Sequence, residues 1–352
     1  MPKLPSSPKK KIWQWLGQPL AWLYGVGAWL HRASYVYGPY KQANFEPLVI
    51  GIGNLSVGGT GKSPHVLYVQ HLLGQVEHTA MISRGYGRQS KGVQWVTLES
   101  TPEQVGDEAL QFKQAYPKAT VLVAEKRAEG IELALSQQPQ LQHILLDDAF
   151  QHWGVQASCY ILLTTFENPF FQQEVLPIGF LREFRRGYKR ADVIIVTKCP
   201  PSIDAATRAA YTTAIAPLAH QRVLFSWLLY QPLYELLEGG AGPSLEQPLD
   251  ILLLTAIANT QALVTYLKGH QVSSLKFPDH HLFVEKDLHT IKKQAQGKTI
   301  LTTEKDATKL QPLLKQHPDI QITIYVLPIK VALSPTDETW LLNYLKAQKK
   351  SC

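Results

Sequence analysis

Residues 53–64 read Gly-Asn-Leu-Ser-Val-Gly-Gly-Thr-Gly-Lys-Ser-Pro. Glycines at this density let a backbone curl until successive N–H groups converge on phosphate oxygens. Lys62 is placed to reach the β- and γ-phosphates of a nucleoside triphosphate, and the Ser63 hydroxyl to ligate Mg²⁺. Gly58, Gly59, Thr60, Gly61, Lys62 and Ser63 are therefore candidate ATP-binding residues. The strict spacing of such loops calls for a glycine at position 56, where this chain has Ser56. Val57 stands where a related ATPase class carries a second lysine, which argues against that class.

Other clusters could complete a phosphoryl-transfer site. Residues 143–148 form an apolar run ending in Asp147 and Asp148, and an acid at the C-terminal edge of a strand suits the Mg²⁺ of a phosphate loop. Gly106-Asp107-Glu108 opens a helix-like stretch, where Asp107 either complements the helix dipole or serves as a general base. Asp279-His280-His281 lacks a third ligand at zinc spacing, so a histidine orienting a carboxylate base fits better than a metal site. Ser83-Arg84-Gly85-Tyr86-Gly87-Arg88 carries two arginines among glycines, suiting either anion contact or an exposed turn. Arg182-Glu183-Phe184-Arg185-Arg186 with Lys189 and Arg190 is a dense basic run, readable as a solvated face or as phosphate neutralisation. Glu125-Lys126-Arg127 and Thr302-Thr303-Glu304-Lys305-Asp306 follow strand-like runs and are similarly open.

The elements that must position these groups alternate along the chain. Residues 48–53, 79–83, 120–124, 143–147, 159–164 and 192–197 are short apolar runs of strand length. Helix-like stretches such as 106–115 and 127–135 lie between several of them. That alternation predicts an α/β fold, a mostly parallel sheet with helices on both faces. From about residue 222 a second, smaller α/β unit begins, with strand-like runs at 222–230, 250–256, 299–303 and 321–327. The run 325–333 is placed to return antiparallel to 222–230 as a two-strand hinge. The expected division is 1–40 helical, 41–221 phosphate-loop domain, 222–334 smaller domain with linker strands, and 335–352 C-terminal helix. A chain of 352 residues suits two cores.

A net charge of +7 favours anionic partners without choosing among them. Cys159, Cys199 and Cys352 are odd in number and far apart, which argues against a disulfide framework or zinc site and fits a reducing cytosol. No run is long and apolar enough for a clean membrane span, and no signal-peptide cleavage pattern is expected. Lys9, Lys10 and Lys11 precede a stretch holding Trp13, Trp15, Trp22 and Trp29. Trp15, Trp22 and Trp29 recur every seven residues and share one helical face, which suits an anionic membrane surface or packing on the protein's own core. Pro19, Gly25 and Gly27 are expected to weaken a long continuous helix there.

Seven stretches occur in an order that resembles the tetraacyldisaccharide 4′-kinases of lipid A biosynthesis: GNLSVGGTGKSP, SRGYGR, GDE, DDAFQH, LPIGFLREF, FPDHH and TTEKDATKL, with PLAWLYG at the start. The resemblance implies that ATP phosphorylates the 4′-hydroxyl of an acylated glucosamine disaccharide 1-phosphate. It implies two α/β domains joined by a two-stranded linker, and a peripheral place on the cytoplasmic face of a Gram-negative inner membrane. By similarity Asp107 is the base and His280 its partner. Lys62 and Ser63 serve ATP and Mg²⁺, and Asp147 and Asp148 are the acidic strand end. Arg182 and Glu183 lie near the phosphates, with Glu183 counted on the metal side. Arg127 lies near the transferring phosphate, and Tyr86, Arg84, Asn54 and Arg182 face the substrate. Ala149 stands where the family usually has glycine and His281 where it often has an aromatic residue; if that glycine needs a positive φ, Ala149 strains the turn. A monomer is expected.

The competing class is a phosphate-loop GTPase or ATPase acting as a switch or metal chaperone. Val196-Thr197-Lys198 slightly resembles a guanine-reading motif, but Pro200 follows Cys199 where the motif needs Asp. A nucleic-acid-binding ATPase has only the net charge in its favour, so no nucleic-acid partner is expected.

Overall fold

A computed structural model describes residues 12–257 and 259–348 of the chain, with side chains described from Gly17 onward. Lys9, Lys10, Lys11 and Cys352, and the side chains of Trp13 and Trp15, lie outside the described residues.

Eight strands form the larger sheet: β1 (Leu48–Asn54), β2 (Thr79–Ser83), β3 (Gln94–Trp95), β4 (Thr120–Val123), β5 (His143–Asp147), β6 (Cys159–Thr165), β7 (Val193–Thr197) and β8 (Arg222–Phe225). Their order is β3-β4-β2-β5-β1-β6-β7-β8. Every pairing is parallel except β3 with β4. The central strands β1, β2 and β5 are buried at every position because helices cover both faces. On one face Leu48, Ile50, Ile52, Met81, Leu145, Ile161 and Ile195 pack in a single core. That core also takes in α2 (Lys62–Leu73) and α4 (Asp107–Ala115), which follows the short α3 (Pro102–Val105). The alternate residues Val49, Ala80, Ile82, Ile144 and Leu146 point the other way, toward α5 (Arg127–Gln137). Leu162, Ile194 and Val196 face Ala21 of α1 (Ile12–Val36) and Tyr211 of α6 (Ala205–Ile215).

After β8 the chain enters β9 (Trp227–Tyr230). The run read as one strand over 222–230 is thus two: its first half closes the larger sheet, beyond the boundary expected at residue 222, and only its second half is linker. The second sheet contains β10 (Tyr234–Glu235), β11 (Asp250–Thr255), β12 (Gln271–Lys276), β13 (Thr299–Thr303) and β14 (Ile324–Leu327), in the order β10-β14-β13-β11-β12. It is parallel apart from β10 and carries α7 (Gln261–Tyr266), α8 (Glu285–Ala295) and α9 (Glu304–Gln316). The chain then returns along β15 (Ile329–Ala332), antiparallel to β9. It ends in α10 (Pro335–Gln348), whose Leu341 and Leu345 complete the first core. Two strands cross between the domains, as the sequence reading expects.

Pro19, Gly25 and Gly27, expected to weaken a long helix, do not interrupt α1, which runs through all three. Gly17 and Gly25 allow close approach instead, since a Cβ on either would collide with Ile178 or with the Phe184 ring. Ala21 is buried, whereas Leu20, Trp22, Leu23, Trp29 and Leu30 are each more than half exposed. Among the described residues no helix is long and apolar enough to cross a membrane.

Candidate functional site

The phosphate loop follows β1 and is held open by its backbone. Gly58 and Gly61 have φ of 103° and 88°, a region that strains any residue with a Cβ. The outer arm of the loop is pinned by the 180–182 segment, with Val57 N–H donating to the Phe180 carbonyl at 2.7 Å and Arg182 N–H to that of Leu55 at 2.7 Å. Behind the loop, Lys198 Nζ donates to the Gly59 carbonyl at 2.7 Å and the Thr197 hydroxyl to that of Thr60 at 2.9 Å.

A cleft of about 1160 Å³ opens over this loop. Its larger-domain wall includes Gly58–Ser63, Arg84, Tyr86, Asp147, Asp148, Arg182 and Lys198. The smaller domain contributes Asp279, His280, Thr303, Glu304 and Lys305, and α1 contributes Tyr24 and His31. Five non-glycine residues among those described have left-handed backbones: Asp148, Lys198, Ala216, His280 and Gln296. Ala216 and Gln296 merely close helices. The other three line the cleft, and strain of this kind, costing about 1–3 kcal/mol each, persists where surrounding structure enforces it. Ala149, by contrast, is not left-handed; the positive φ falls on Asp148 (47°), so the feared strain at Ala149 is absent.

The groups expected at the acidic strand end are present with different partners. Asp148 accepts from Arg182 Nη1 at 3.0 and 2.9 Å, and Lys62 Nζ stands 3.7 Å from its Oδ1. Burial pushes the Asp148 carboxyl upward, but Lys62 and Arg182 outweigh it and hold it below the ordinary value. Asp147 is almost wholly buried, and burial, with Glu108 and Asp148 adding to it, lifts its pKa to about 7. Ser83 donates to Asp147 Oδ2 at 3.2 Å, while Oδ1 is buried without a hydrogen-bond partner. Ser63, Asp147 and Asp148 thus offer hard oxygen donors at one end of the cleft, and the orphaned Oδ1 is the atom a divalent cation would satisfy. No cluster of three His, Cys, Asp or Glu side chains is arranged to hold a metal among the described residues. A magnesium ion here therefore needs phosphate oxygens as well, as such ions usually do.

Three expected site residues are held by other contacts. Glu183 borders the cleft, but both its oxygens accept from Arg190 at 2.8 Å, and Gln151 donates to one of them at 2.9 Å. Arg127 is buried and absent from the cleft wall. Its guanidinium donates to the carbonyls of Ala124 at 3.0 Å, Glu125 at 3.3 Å and Asp147 at 3.3 Å, and burial draws its pKa down to about 10. It braces the ends of two strands. Asn54 is wholly buried and donates to the Thr60 hydroxyl at 2.8 Å, supporting the loop from beneath.

Asp107 and His280 come together across the domains. His280 Nδ1 lies 3.1 Å from Asp107 Oδ2, and Lys305 Nζ lies 3.2 Å from His280 Nε2 and 3.6 Å from the same carboxylate oxygen. Lys305 can only donate and the carboxylate only accept, so the ring carries its hydrogen on Nδ1. Burial alone would raise the pKa of Asp107, but the His280 hydrogen bond and the Lys305 charge outweigh it and keep it low. His280 and Lys305 line the cleft, with Asp107 behind them and Tyr86 tilted against His280 at 5.1 Å between ring centres. His281 faces away, bonding Asp287 at 2.8 Å and stacking on Phe277 at 4.7 Å, which explains why an imidazole can stand in for an aromatic ring. Lys305 lay in a stretch left open from sequence and Lys198 in one read only against a guanine motif; the signal for each was a lysine one or two residues past a strand end.

A model of the tetraacyldisaccharide-1-P 4′-kinase family matches residues 13–346. The tetraacyldisaccharide 4′-kinase of Bacteroides thetaiotaomicron is 38% identical over 343 residues, covering 92% of this chain and 90% of its own. That of Flavobacterium johnsoniae is 37% identical over 334 residues, covering 93% and 96%. Among solved structures, the "apo" form of LpxK from Aquifex aeolicus in complex with ATP superposes with a TM-score of 0.73 at 26% identity, over 95% of this chain and 99% of that one.

Proposed function

The chain belongs to the tetraacyldisaccharide 4′-kinase family, and from that premise we propose how its residues carry ATP-dependent phosphorylation of the 4′-hydroxyl of an acylated glucosamine disaccharide 1-phosphate. The observation that carries this reading is the three-residue contact of Asp107, His280 and Lys305 across one cleft from the phosphate loop. The GTPase or metal-chaperone reading is not favoured, since those classes need no carboxylate–histidine pair facing the loop.

ATP sits with its phosphates on the amides of residues 58–63 and Lys62 at the β- and γ-phosphates. Ser63, Asp147 and Asp148 are the residues that hold Mg²⁺, which when bound neutralises phosphate charge. Arg182, already drawn to Asp148, supplies further positive charge beside the transferring group. The sugar hydroxyl enters beside Tyr86 and His280. As its oxygen attacks the γ-phosphorus, the Asp107 carboxylate takes the proton, the bond from phosphorus to the β-bridging oxygen breaks, and ADP leaves. His280 and Lys305 fix the orientation of that carboxylate and keep it ionised. The acyl chains stay in lipid, against the exposed Trp22, Leu23, Trp29 and Leu30 of α1. That helix also borders the cleft through Tyr24 and His31, so the membrane surface and the phosphate loop meet along one edge. The protein acts as a monomer at the cytoplasmic face of the inner membrane.

The direct test is transfer of labelled γ-phosphate from Mg·ATP to the acylated disaccharide 1-phosphate in mixed micelles. Labelled lipid carrying phosphate at the 4′ position supports the assignment. ATP or GTP hydrolysis with no labelled lipid sinks it.

A further inference from the structure

His65 lies on the first turn of α2, is 1% exposed, and takes no part in the chemistry above. Its two ring nitrogens bridge two regions far apart in sequence. Nδ1 is 2.7 Å from the carbonyl of Gly61, and Nε2 is 3.0 Å from the hydroxyl of Ser226. The Gly61 carbonyl can only accept, so Nδ1 carries the hydrogen and the Ser226 hydroxyl donates to Nε2. Ser226, itself 1% exposed, is the single residue between β8, the last strand of the larger sheet, and β9, the first strand of the linker. Its backbone is fixed on both sides, with its N–H donating to Val196 and its carbonyl accepting from Cys199, each at 2.9 Å.

This bond completes a row. The carbonyls of three consecutive loop residues are each held from outside the loop's own backbone: Gly59 by Lys198, Thr60 by Thr197 and Gly61 by His65. Carbonyls turned outward leave the amides turned inward, the orientation a phosphate needs. The first two anchors come from the end of β7. The third leads through His65 to the start of the linker, whose returning strand contributes Val331 to the same core as Val66, Val69 and Leu73 of α2.

We propose that His65 is a positioning residue for ATP, joining the phosphate loop to the root of the interdomain linker through Ser226, so that order in the loop and seating of the linker depend on each other. This rests on the assignment of the loop to ATP. Ser226 touches neither the loop nor the cleft, and removing its hydroxyl is felt by ATP only through His65.

The test is a double-mutant cycle on the full chain, reading the Kd for ATP by titration, kcat and lipid KM by the micelle assay, and Tm. Ser226→Ala removes the donor, and His65→Asn keeps an amide near the Nδ1 position while losing the reach to Ser226. Each is expected to weaken ATP about fivefold to tenfold, the scale of one buried hydrogen bond, with lipid KM unchanged. The double variant should be no weaker than the worse single, and His65→Gln, which can still reach Ser226, should recover part of the loss in Ser226-intact protein. Wild-type ATP affinity in both single variants overturns the inference, and so do multiplying losses in the double variant or a fall in Tm without any change in ATP affinity. Each of those results leaves the kinase assignment standing, whereas a wild-type chain that binds no ATP removes both.

Discussion

On the loop side of the cleft, the positioning contacts come from the larger domain and the root of its linker. Glycines at 58 and 61 set the curl, Asn54 supports Thr60 from below, and Lys198 and Thr197 hold the carbonyls outward. On the facing side, Asp107 belongs to the larger domain while His280 and Lys305 belong to the smaller, and their contact bridges 173 residues of sequence between Asp107 and His280. The first arrangement touches the linker only at its root, through His65 and Ser226, whereas the second requires the β9–β15 pair to bring the domains together. ATP binding should therefore be robust to changes in the smaller domain and phosphoryl transfer sensitive to them.

Replacing Asp107 with Asn breaks the comparison open most sharply. The account of a general base gives a fall in kcat of about 10²–10⁴-fold, with the Kd for ATP measured by titration unchanged. Lys62→Ala acts on the other side. Loss of its charge should reduce kcat by roughly 10²–10³-fold and, unlike the first variant, weaken ATP as well. Lys305→Ala should cost less, about tenfold in kcat, on the scale of one charged contact, and should reshape the pH profile. Lys305 lowers the pKa of Asp107, so without it the carboxylate protonates at higher pH, and the acid limb of kcat moves upward. An unmoved limb would detach Lys305 from the base. The smallest catalytic change is expected of Glu183→Gln. Its oxygens are taken up by Arg190 in a partly buried pair, so the Tm should fall, by an amount reflecting about 1–3 kcal/mol for the weakened charged contact, while half-saturating Mg²⁺ stays put. A large change in Mg²⁺ dependence would return Glu183 to the metal.

The loop was legible because its information is local: glycine spacing, a strand before it and a helix after it appear in twelve consecutive residues. The alternation of strands and helices in the larger domain was legible for the same reason. What the sequence left hidden are contacts set by what packs on a residue. Nothing in the local sequence of Asn54, Arg127 or Glu183 shows that each is turned into the protein to serve a hydroxyl, a set of strand-end carbonyls or a neighbouring arginine. The pairing of Asp107 with His280 came from resemblance, not spacing, and the role of Lys305 stayed open because a lysine after a strand is usually solvated. The split of 222–230 into two strands in different sheets is likewise invisible to hydrophobic pattern, since both halves are apolar.

The most direct measurement is kcat for Asp107→Asn, His280→Ala and the two combined, in the micelle assay at saturating Mg·ATP. If the two side chains act as one unit across the cleft, the double variant is no slower than the slower single variant. If the losses multiply, the two residues act independently and the cross-domain pair is not the catalytic device.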